Sequence, residues 1–326
     1  MSGPVTILGS GVAGLCVAAE LSGRGYDVCV IDPAGAPDAH GCSWWAGGML
    51  APECEGATAE EPVVRLGRDA ARWWQAQGAE VQYRGSVAVA LGRDRQELDR
   101  FARRTQNHTT LDRTALIKLE PQLGERFARA LHMQGESHLN PRHTLISLRD
   151  RLEKSGVTFA TDTSPTGQLI DCRGLAARDM LKDLRGVKGE MVILRAPDVQ
   201  LDRPVRLLHP RFPLYIVPRG DGVFMLGATQ IESGQRDRAA VRSIMELLNA
   251  AYALHPAFGE SELLEIGVDA RPAFPDNLPR IGRIGDRLYV NGLFRHGYLL
   301  APAMAQMMGD YLDTGTKPEL WHDDHN

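Results

Sequence analysis

The sequence predicts an α/β protein in which a doubly wound, mostly parallel sheet is interleaved with a separate antiparallel sheet. Two observations lead to this fold class. A strand–helix–strand unit occupies the first 31 residues, and a further strand and helix follow near the C-terminus, at 287–312. Between them, Pro and Gly separate several short apolar runs, as an antiparallel sheet requires. A strand–helix–strand unit of about 30 residues favours a parallel sheet.

The N-terminal unit contains the clearest local signals. An apolar strand at 4–8 is followed by a glycine-rich turn at 9–14. Helical periodicity extends through 12–24, and a second apolar strand at 26–31 ends at Asp32. These elements form one βαβ unit.

The remaining elements divide the chain into two domains. A stretch rich in Gly, Ala and Pro at 33–60 is long for a connection, so we expect a functional loop there. The predicted helices are 61–77, 94–105, 142–154, 236–254 and 298–312. The predicted strands are 81–91, 168–172, 188–195, 204–209, 213–219, 222–228, 262–270 and 287–291. The first domain is assigned 1–80, 142–186 and 271–326, and the second 81–141 and 187–270. The tail at 321–326 is expected to fray.

Composition limits the class of protein. The 326 residues are 43% hydrophobic, which is enough for two domain cores. A net charge of −4 gives no reason to expect nucleic acid or an anionic membrane as a partner. No signal peptide and no membrane-spanning stretch is recognisable. The five cysteines include no C-x-x-C pair, so we expect a cytoplasmic protein without a metal site.

The strongest motif is the sequence GSGVAG that forms the turn after the first strand. Gly9 permits a tight turn, Gly11 lets a pyrophosphate approach the backbone, and Gly14 lets the helix pack close to the strand. The helix start, with Val12 and Ala13, offers free N–H groups and a partial positive charge to phosphates.

The acidic residue Asp32 completes this motif, because it follows the second strand and is placed to accept hydrogen bonds from a ribose diol. A carboxylate there disfavours a 2′-phosphate, so NADP is not expected. The motif predicts a dinucleotide-binding, Rossmann-like domain. The pattern alone does not separate FAD from NAD.

Four segments carry a resemblance to a known family: ILGSGVAGLCVA at 7–18, CSWWAGGMLAP at 42–52, IDCRG at 170–174 and FRHGYLLAP at 294–302. Together they resemble the D-amino-acid oxidase superfamily of FAD-dependent oxidoreductases, and within it the glycine oxidase branch that is linked to thiamine biosynthesis. The resemblance covers nearly the whole chain. It implies FAD as cofactor and a doubly wound, Rossmann-like FAD-binding domain interleaved with an antiparallel-sheet α+β substrate domain.

The resemblance also implies cofactor contacts in each segment. In the long loop these are Ser43 near the phosphate–ribitol chain and Gly47, Gly48 and Met49 near the isoalloxazine ring. Paired glycines let the backbone pass against a planar ring, since they have no side chain to clash. The other implied contacts are Gly174, Gly292, His296, Gly297, Tyr298 and Leu299. The N–H groups at that last helix start can stabilise negative charge on the reduced flavin.

A small amino acid needs an anchor for its carboxylate, and the fork of a guanidinium fits best. By resemblance, Arg271 pairs with the carboxylate, Arg295 is a second arginine near the same site, and Tyr215 assists through its hydroxyl. The implied reaction is dehydrogenation of the substrate Cα–N bond with its Cα–H facing flavin N5. It gives an imine that hydrolyses to a 2-oxo acid and ammonia, and oxygen is reduced to hydrogen peroxide.

Several alternatives remain at this point. One is a flavin amino-acid dehydrogenase that uses an acceptor other than oxygen, and another is a sarcosine or D-amino-acid oxidase. No cysteine follows Cys172, which disfavours the covalent flavin found in some sarcosine oxidases. A non-catalytic FAD- or NAD-binding protein and a plain NAD-dependent dehydrogenase are the other two. A homo-oligomer is expected only by analogy.

Overall fold

The structure is a computed structural model, and it describes residues 3–210 and 213–323. These residues form eighteen strands and ten α-helices. The strands β1 to β18 are, in chain order, Pro4–Leu8, Asp27–Ile31, Met49–Leu50, Ser86–Ala90, Thr109–Asp112, Arg129–Met133, Ser137–His138, Thr158–Ala160, Gln168–Asp171, Arg185–Arg195, Val205–Leu208, Leu214–Gly220, Val223–Gly227, Ile231–Glu232, Glu262–Ala273, Arg280–Ile284, Arg287–Asn291 and Trp321–Asp323. The helices α1 to α10 are Val12–Gly23, Pro52–Glu55, Glu61–Gly67, Ala70–Ala76, Arg95–Arg104, Arg113–Leu119, Pro121–Gly124, Pro141–Lys154, Val241–Leu254 and Gly297–Thr314.

A seven-stranded sheet forms the first half of the molecule, in the order β18-β16-β17-β9-β1-β2-β8. Its central strands are parallel, with β1 between β2 and β9. The helix α1 is apolar on nearly every side because it packs against this sheet and against α10. Ile7, Leu15 and Met304 are fully buried in the resulting core. This half confirms the predicted doubly wound, Rossmann-like fold.

A nine-stranded sheet forms the second half, in the order β14-β10-β13-β12-β11-β4-β6-β5, with β15 paired to β10. All its pairs are antiparallel except β4 with β11. The helix α9 packs on one face, and Val89, Ile216 and Leu247 belong to the second core. This half confirms the predicted antiparallel-sheet α+β fold.

The predicted domain boundaries remain a proposal, and the sheets divide the chain slightly differently. Strand β15 continues to Ala273 within the nine-stranded sheet. Arg271, which the boundary at 271 assigned to the FAD-binding domain, therefore belongs to a strand of the other sheet. A third sheet of two short strands joins Met49 to His138. The cavity between the two large sheets is consequently lined from both halves of the molecule.

Several predicted elements differ in extent. The predicted helix 61–77 is interrupted between α3 and α4, and the predicted strand 81–91 is confined to β4. The prediction of a frayed tail is wrong for Trp321–Asp323, which pairs with β16 as β18. The Trp321 ring lies 4.4 Å from the Tyr311 ring, and this contact holds the strand. The rest of the predicted tail, 324–326, lies outside the described residues. Over the described parts of the chain, none of the helices is both long and apolar enough to cross a membrane.

Candidate active site

The carboxyl ends of β1 and β2 open into a cavity of about 990 Å³ that reaches the nine-stranded sheet. Most of the residues predicted to contact a cofactor or substrate line it. The exceptions are Gly14 and Gly292, which serve close packing instead. A Cβ at Gly14 would collide with the Gly9 carbonyl oxygen, and one at Gly292 would enter the Phe274 ring.

The glycine-rich turn forms the end of the cavity nearest α1. Gly9 has a φ of +99°, and a Cβ there would lie 2.8 Å from the Cys172 carbonyl oxygen, so only glycine fits. The first turn of α1 has no side-chain N-cap. Instead, the Val12 N–H donates to Ser43 Oγ over 3.1 Å. Within the described residues the N–H of Ala13 has no acceptor, which leaves a donor for a phosphate at a positive helix end.

Asp32 is fixed by the same turn. Its Oδ2 accepts hydrogen bonds of 2.8 Å from both the N–H and the hydroxyl of Ser10. Its Oδ1 accepts one of 3.0 Å from the Ala34 N–H. A carboxylate has about four acceptor positions, so one remains for a further donor from the cavity. This arrangement fits the predicted contact with a ribose hydroxyl.

The Gly47–Gly48 segment passes between two walls that leave no room for side chains. A Cβ at Gly47 would lie 2.9 Å from Cε2 of the Tyr215 ring. Gly48 has a φ of +68°, and a Cβ there would lie 2.8 Å from Pro141 Cδ. Met49 follows in β3. The backbone of this segment therefore faces the cavity directly, as the sequence predicts for a loop beside a planar ring.

The start of α10 is the second helix end that faces the cavity. His296 is its N-cap residue, and among the described residues no acceptor binds the N–H groups of Gly297, Tyr298 and Leu299. The Tyr298 hydroxyl donates to the Ser43 carbonyl oxygen over 3.1 Å, which ties this helix to the long loop. The free N–H groups and the helix dipole favour negative charge at this point.

The carboxylate of Glu55, which the sequence analysis did not identify, lines the cavity and binds three side chains. Its Oε2 lies 2.8 Å from the Arg295 guanidinium and 3.0 Å from His296 Nε2, and its Oε1 lies 2.7 Å from Arg206. We call these four residues the Glu55 cluster. Burial alone would raise the pKa of Glu55, but Arg295 and Arg206, with a hydrogen bond from His296, outweigh it and hold the pKa well below its usual value.

The short helix α2 presents Glu55 to this cluster. Pro52 occupies its first turn, and the N–H of Cys54 donates to Glu136 Oε1 over 2.7 Å. Glu136 is itself buried. The only sequence signal for Glu55 is its position three residues after the 42–52 segment, and its partners Arg206 and His296 are 151 and 241 residues away in the chain.

Arg271 has quite different surroundings. Its guanidinium lies over the backbone of Gly189, where a Cβ would collide with it. One nitrogen donates to the Thr229 carbonyl oxygen over 3.2 Å. No carboxylate of the described chain forms an ion pair with it. We call Arg271, Gly189 and Thr229 the Arg271 wall. Arg271 lines the cavity and is available to an anion.

Buried polar groups support the Arg271 wall from behind. The Thr229 hydroxyl donates to Glu190 Oε2 over 2.9 Å, and Glu190 Oε1 lies 2.9 Å from Lys188 Nζ. Glu190 is fully buried. The Thr229 carbonyl that receives Arg271 is thus held in place by a buried ion pair.

The structure therefore brings the predicted residues into one cavity but separates the two arginines. Tyr215 and Arg271 both line the cavity from strands of the nine-stranded sheet, while Arg295 belongs to the Glu55 cluster. Gly174, with a φ of +56°, lines the cavity where β9 ends, and its carbonyl oxygen accepts a hydrogen bond of 2.9 Å from Asn291. The individual roles of these residues remain predictions.

Comparison with known proteins bears on the identity of the site. The family model for the FAD-dependent oxidoreductases (DAO) matches residues 4–311. A putative thiamine biosynthesis oxidoreductase ThiO from Rhizobium etli is 52% identical over 308 residues, which cover 92% of this chain and 94% of that protein. The glycine oxidase of Pseudomonas putida is 26% identical over 359 residues, covering 98% of this chain and 96% of that protein.

Among solved structures, a glycine oxidase from Bacillus cereus has the same fold, with a TM-score of 0.83 and 21% identity over 97% of this chain and 98% of that one. The family resemblance predicted from the four sequence segments is thus confirmed, and a plain NAD-dependent dehydrogenase is set aside. Since the family model spans nearly the whole chain, the protein belongs to the DAO family of FAD-dependent oxidoreductases, with FAD as its cofactor.

Proposed function

We propose that this enzyme oxidises a small amino acid, with glycine as the favoured substrate, to the 2-oxo acid, ammonia and hydrogen peroxide. The observation that carries the proposal is the guanidinium of Arg271, which lines the cavity without a carboxylate partner among the described residues. The names of the relatives in Rhizobium etli and Pseudomonas putida support a role in thiamine biosynthesis and glycine as substrate.

The cavity fits FAD at three places along its length. The glycine-rich turn and the free N–H at the start of α1 suit a pyrophosphate, and the remaining acceptor position of Asp32 suits a ribose. The Gly47–Gly48 segment and the start of α10 suit the ring. When bound there, FAD supplies the acceptor for the electrons that leave the substrate.

The protein contributes binding and orientation. Arg271 binds the substrate carboxylate through two parallel N–H···O bonds. Tyr215, whose ring is fixed against Gly47, presents its hydroxyl to the same end of the substrate. Holding the carboxylate at one wall fixes the direction in which the substrate Cα–H points, and such orientation lowers the entropic part of the barrier.

The scheme needs no side chain as general base, since the amino group enters in its neutral form. Glu55 lines the cavity, but its carboxylate already binds Arg206, Arg295 and His296. Its pKa, held well below the usual value, makes it a weak proton acceptor. The imine leaves the cavity and is hydrolysed in water.

The location of the protein is part of the same proposal. All five cysteines are free, and Cys16, Cys54 and Cys172 are buried. Unpaired thiols are typical of a reducing compartment, so we propose that the enzyme acts in the cytoplasm.

An anaerobic titration of the purified holoenzyme tests the substrate. Glycine, sarcosine, D-alanine and D-proline are added in turn, and the flavin absorbance is followed. We expect glycine to bleach the flavin at the lowest concentration, and turnover under air to release one hydrogen peroxide per glycine consumed. A flavin that no amino acid bleaches would overturn the proposal. Bleaching without peroxide under air would instead favour the dehydrogenase that uses another acceptor.

A further inference from the structure

Arg219, in β12, is a half-buried cation, and its hydrogen-bond partners in the described part of the chain are backbone carbonyl oxygens. One guanidinium nitrogen donates to Leu139 over 3.1 Å, and another donates to Ala46 over 3.1 Å and to Gly47 over 3.0 Å. In the described part of the chain no carboxylate lies within ion-pair distance of it. Burial lowers the pKa of Arg219 to about 10, although the group stays charged at neutral pH.

Arg203 is a buried arginine of the same sheet region whose charge is paired with a carboxylate. Its guanidinium also donates to backbone carbonyls, at Arg84 and Leu119, but it lies 2.6 Å from the carboxylate of Glu120 as well. Taking a charge out of water without such a partner lowers stability, because no ion pair replaces the lost hydration. The three carbonyls that Arg219 holds therefore need an explanation beyond packing.

The geometry of the peptide unit supplies that explanation. In a trans peptide the N–H points away from the C=O on the opposite side. Arg219 captures the carbonyls of Ala46 and Gly47, so the N–H groups of Gly47 and Gly48 point the other way. Neither N–H has an acceptor within 3–210 or 213–323.

The lining of two cavities among the described residues shows which way these groups face. Arg219 lines a small cavity of about 140 Å³ and does not line the large one. Gly47 and Gly48 line the large cavity and not the small one. The segment thus separates the guanidinium on one side from two free donors on the other.

We propose that Arg219 is a positioning residue that turns two successive peptide units of the long loop toward the flavin. The N–H groups of Gly47 and Gly48 then meet acceptor atoms at the edge of the flavin ring, and the guanidinium behind them polarises both peptides. Donors fixed in advance at a place where negative charge develops stabilise that charge strongly. The inference rests on the proposed function only in taking the large cavity as the flavin site.

The variants Arg219→Gln and Arg219→Lys test this role, with Arg203→Gln as the matched control. FAD affinity is measured by adding FAD to the apoprotein, and the reduction equilibrium by titrating the holoenzyme with dithionite against a reference dye. For Arg219→Gln we expect at least a tenfold loss in FAD affinity and at least a tenfold shift of the equilibrium toward oxidised flavin. Arg219→Lys keeps the positive charge but loses the forked donor geometry of the guanidinium. We therefore expect its fold change in the flavin reduction equilibrium to be smaller than its fold loss in FAD affinity.

Arg203→Gln is expected to lower the thermal stability while changing FAD affinity less than twofold. An Arg219→Gln variant with wild-type FAD affinity and reduction equilibrium would overturn the proposal. If that variant does not fold, Arg219→Lys with wild-type values in both measurements would do the same. Neither measurement uses an amino acid, so their outcome is independent of whether glycine is the substrate.

Discussion

Two arginines line the same cavity, and they differ in whether a carboxylate is paired with the guanidinium. Arg295, in the Glu55 cluster, is paired with a buried carboxylate and also contacts Thr58. Arg271, in the Arg271 wall, lies over glycine backbone and meets only a carbonyl oxygen. Both were expected near the substrate carboxylate. The comparison shows that the counter-ion, more than the residue type, indicates which arginine is free to bind a ligand.

The physical reason lies in the number of partners a guanidinium can serve. A guanidinium that already binds a carboxylate has its best-aligned N–H donors occupied. Breaking such a buried ion pair leaves an uncompensated charge. A fork without an anion gains most from a ligand that supplies one. We therefore expect the Glu55 cluster to act mainly on stability and the Arg271 wall mainly on substrate binding.

The largest expected effect is that of Arg271→Ala on the KM for glycine. Losing two charge-assisted hydrogen bonds, each about 2 kcal/mol, raises KM roughly 700-fold. FAD affinity stays at the wild-type value, because Arg271 does not contact the glycine-rich turn. Steady-state peroxide assays give KM, and fluorescence titration of the apoprotein gives the FAD affinity.

Arg242→Ala is the matched control, since Arg242 lines the same cavity but its side chain is 79% exposed. It is expected to change KM less than twofold. An unchanged KM in Arg271→Ala would show that Arg271 does not bind the substrate carboxylate. The absence of a counter-ion would then not indicate which of the two arginines binds the substrate.

The next effect concerns stability. Glu55→Gln removes the carboxylate that forms ion pairs with Arg206 and Arg295, so we expect the free energy of unfolding to fall by about 3 kcal/mol. Urea unfolding followed by circular dichroism measures it. Glu53→Gln, in the same helix, removes a carboxylate whose partner Arg68 is about half exposed, and a loss of about 1 kcal/mol or less is expected. A Glu55→Gln variant with wild-type stability but a strongly raised KM would contradict this prediction, because the Glu55 cluster would then act on substrate binding and not on stability.

The two regions also differ in how far the sequence predicts them. The glycine-rich turn and Asp32 were found because their signals are local: glycines at fixed spacing, a strand on either side and an acid at its end. The family resemblance then added the contacts of the 42–52 loop, Arg271 and Tyr215. Glu55 has no comparable signal, since three partners from distant parts of the chain define it.

The fold shows the same limit. Long elements such as α1, β10 and α10 were predicted because their burial requires long apolar runs, which are visible in the sequence. Short strands such as β5 and β8 are partly exposed, and their sequences carry little pattern. Strand β8 exists because β2 offers it an edge, with Asp32 N–H donating to the Ala160 carbonyl oxygen over 3.0 Å. Such pairing is a property of the assembled sheet.

The smallest effect is a pH dependence of stability that Glu55 contributes. The unfolded carboxyl has a pKa near 4.5, and Arg295 and Arg206, opposing the effect of burial, depress the folded pKa well below that value. Between pH 7 and 5 the group is ionised in both states, so its contribution to stability is constant. Below about pH 4.5 the unfolded chain takes up a proton that the folded chain does not, and the contribution falls.

The difference in Tm between the wild type and Glu55→Gln should therefore be constant from pH 7 to about 5 and shrink only as the pH falls further. Melting curves recorded by circular dichroism over this range measure it. Glu53→Gln, with the same loss of one carboxylate, shows how much of the change is due to net charge. A difference that already shrinks between pH 7 and 6 would mean that a group other than the Glu55 carboxyl sets the pH dependence.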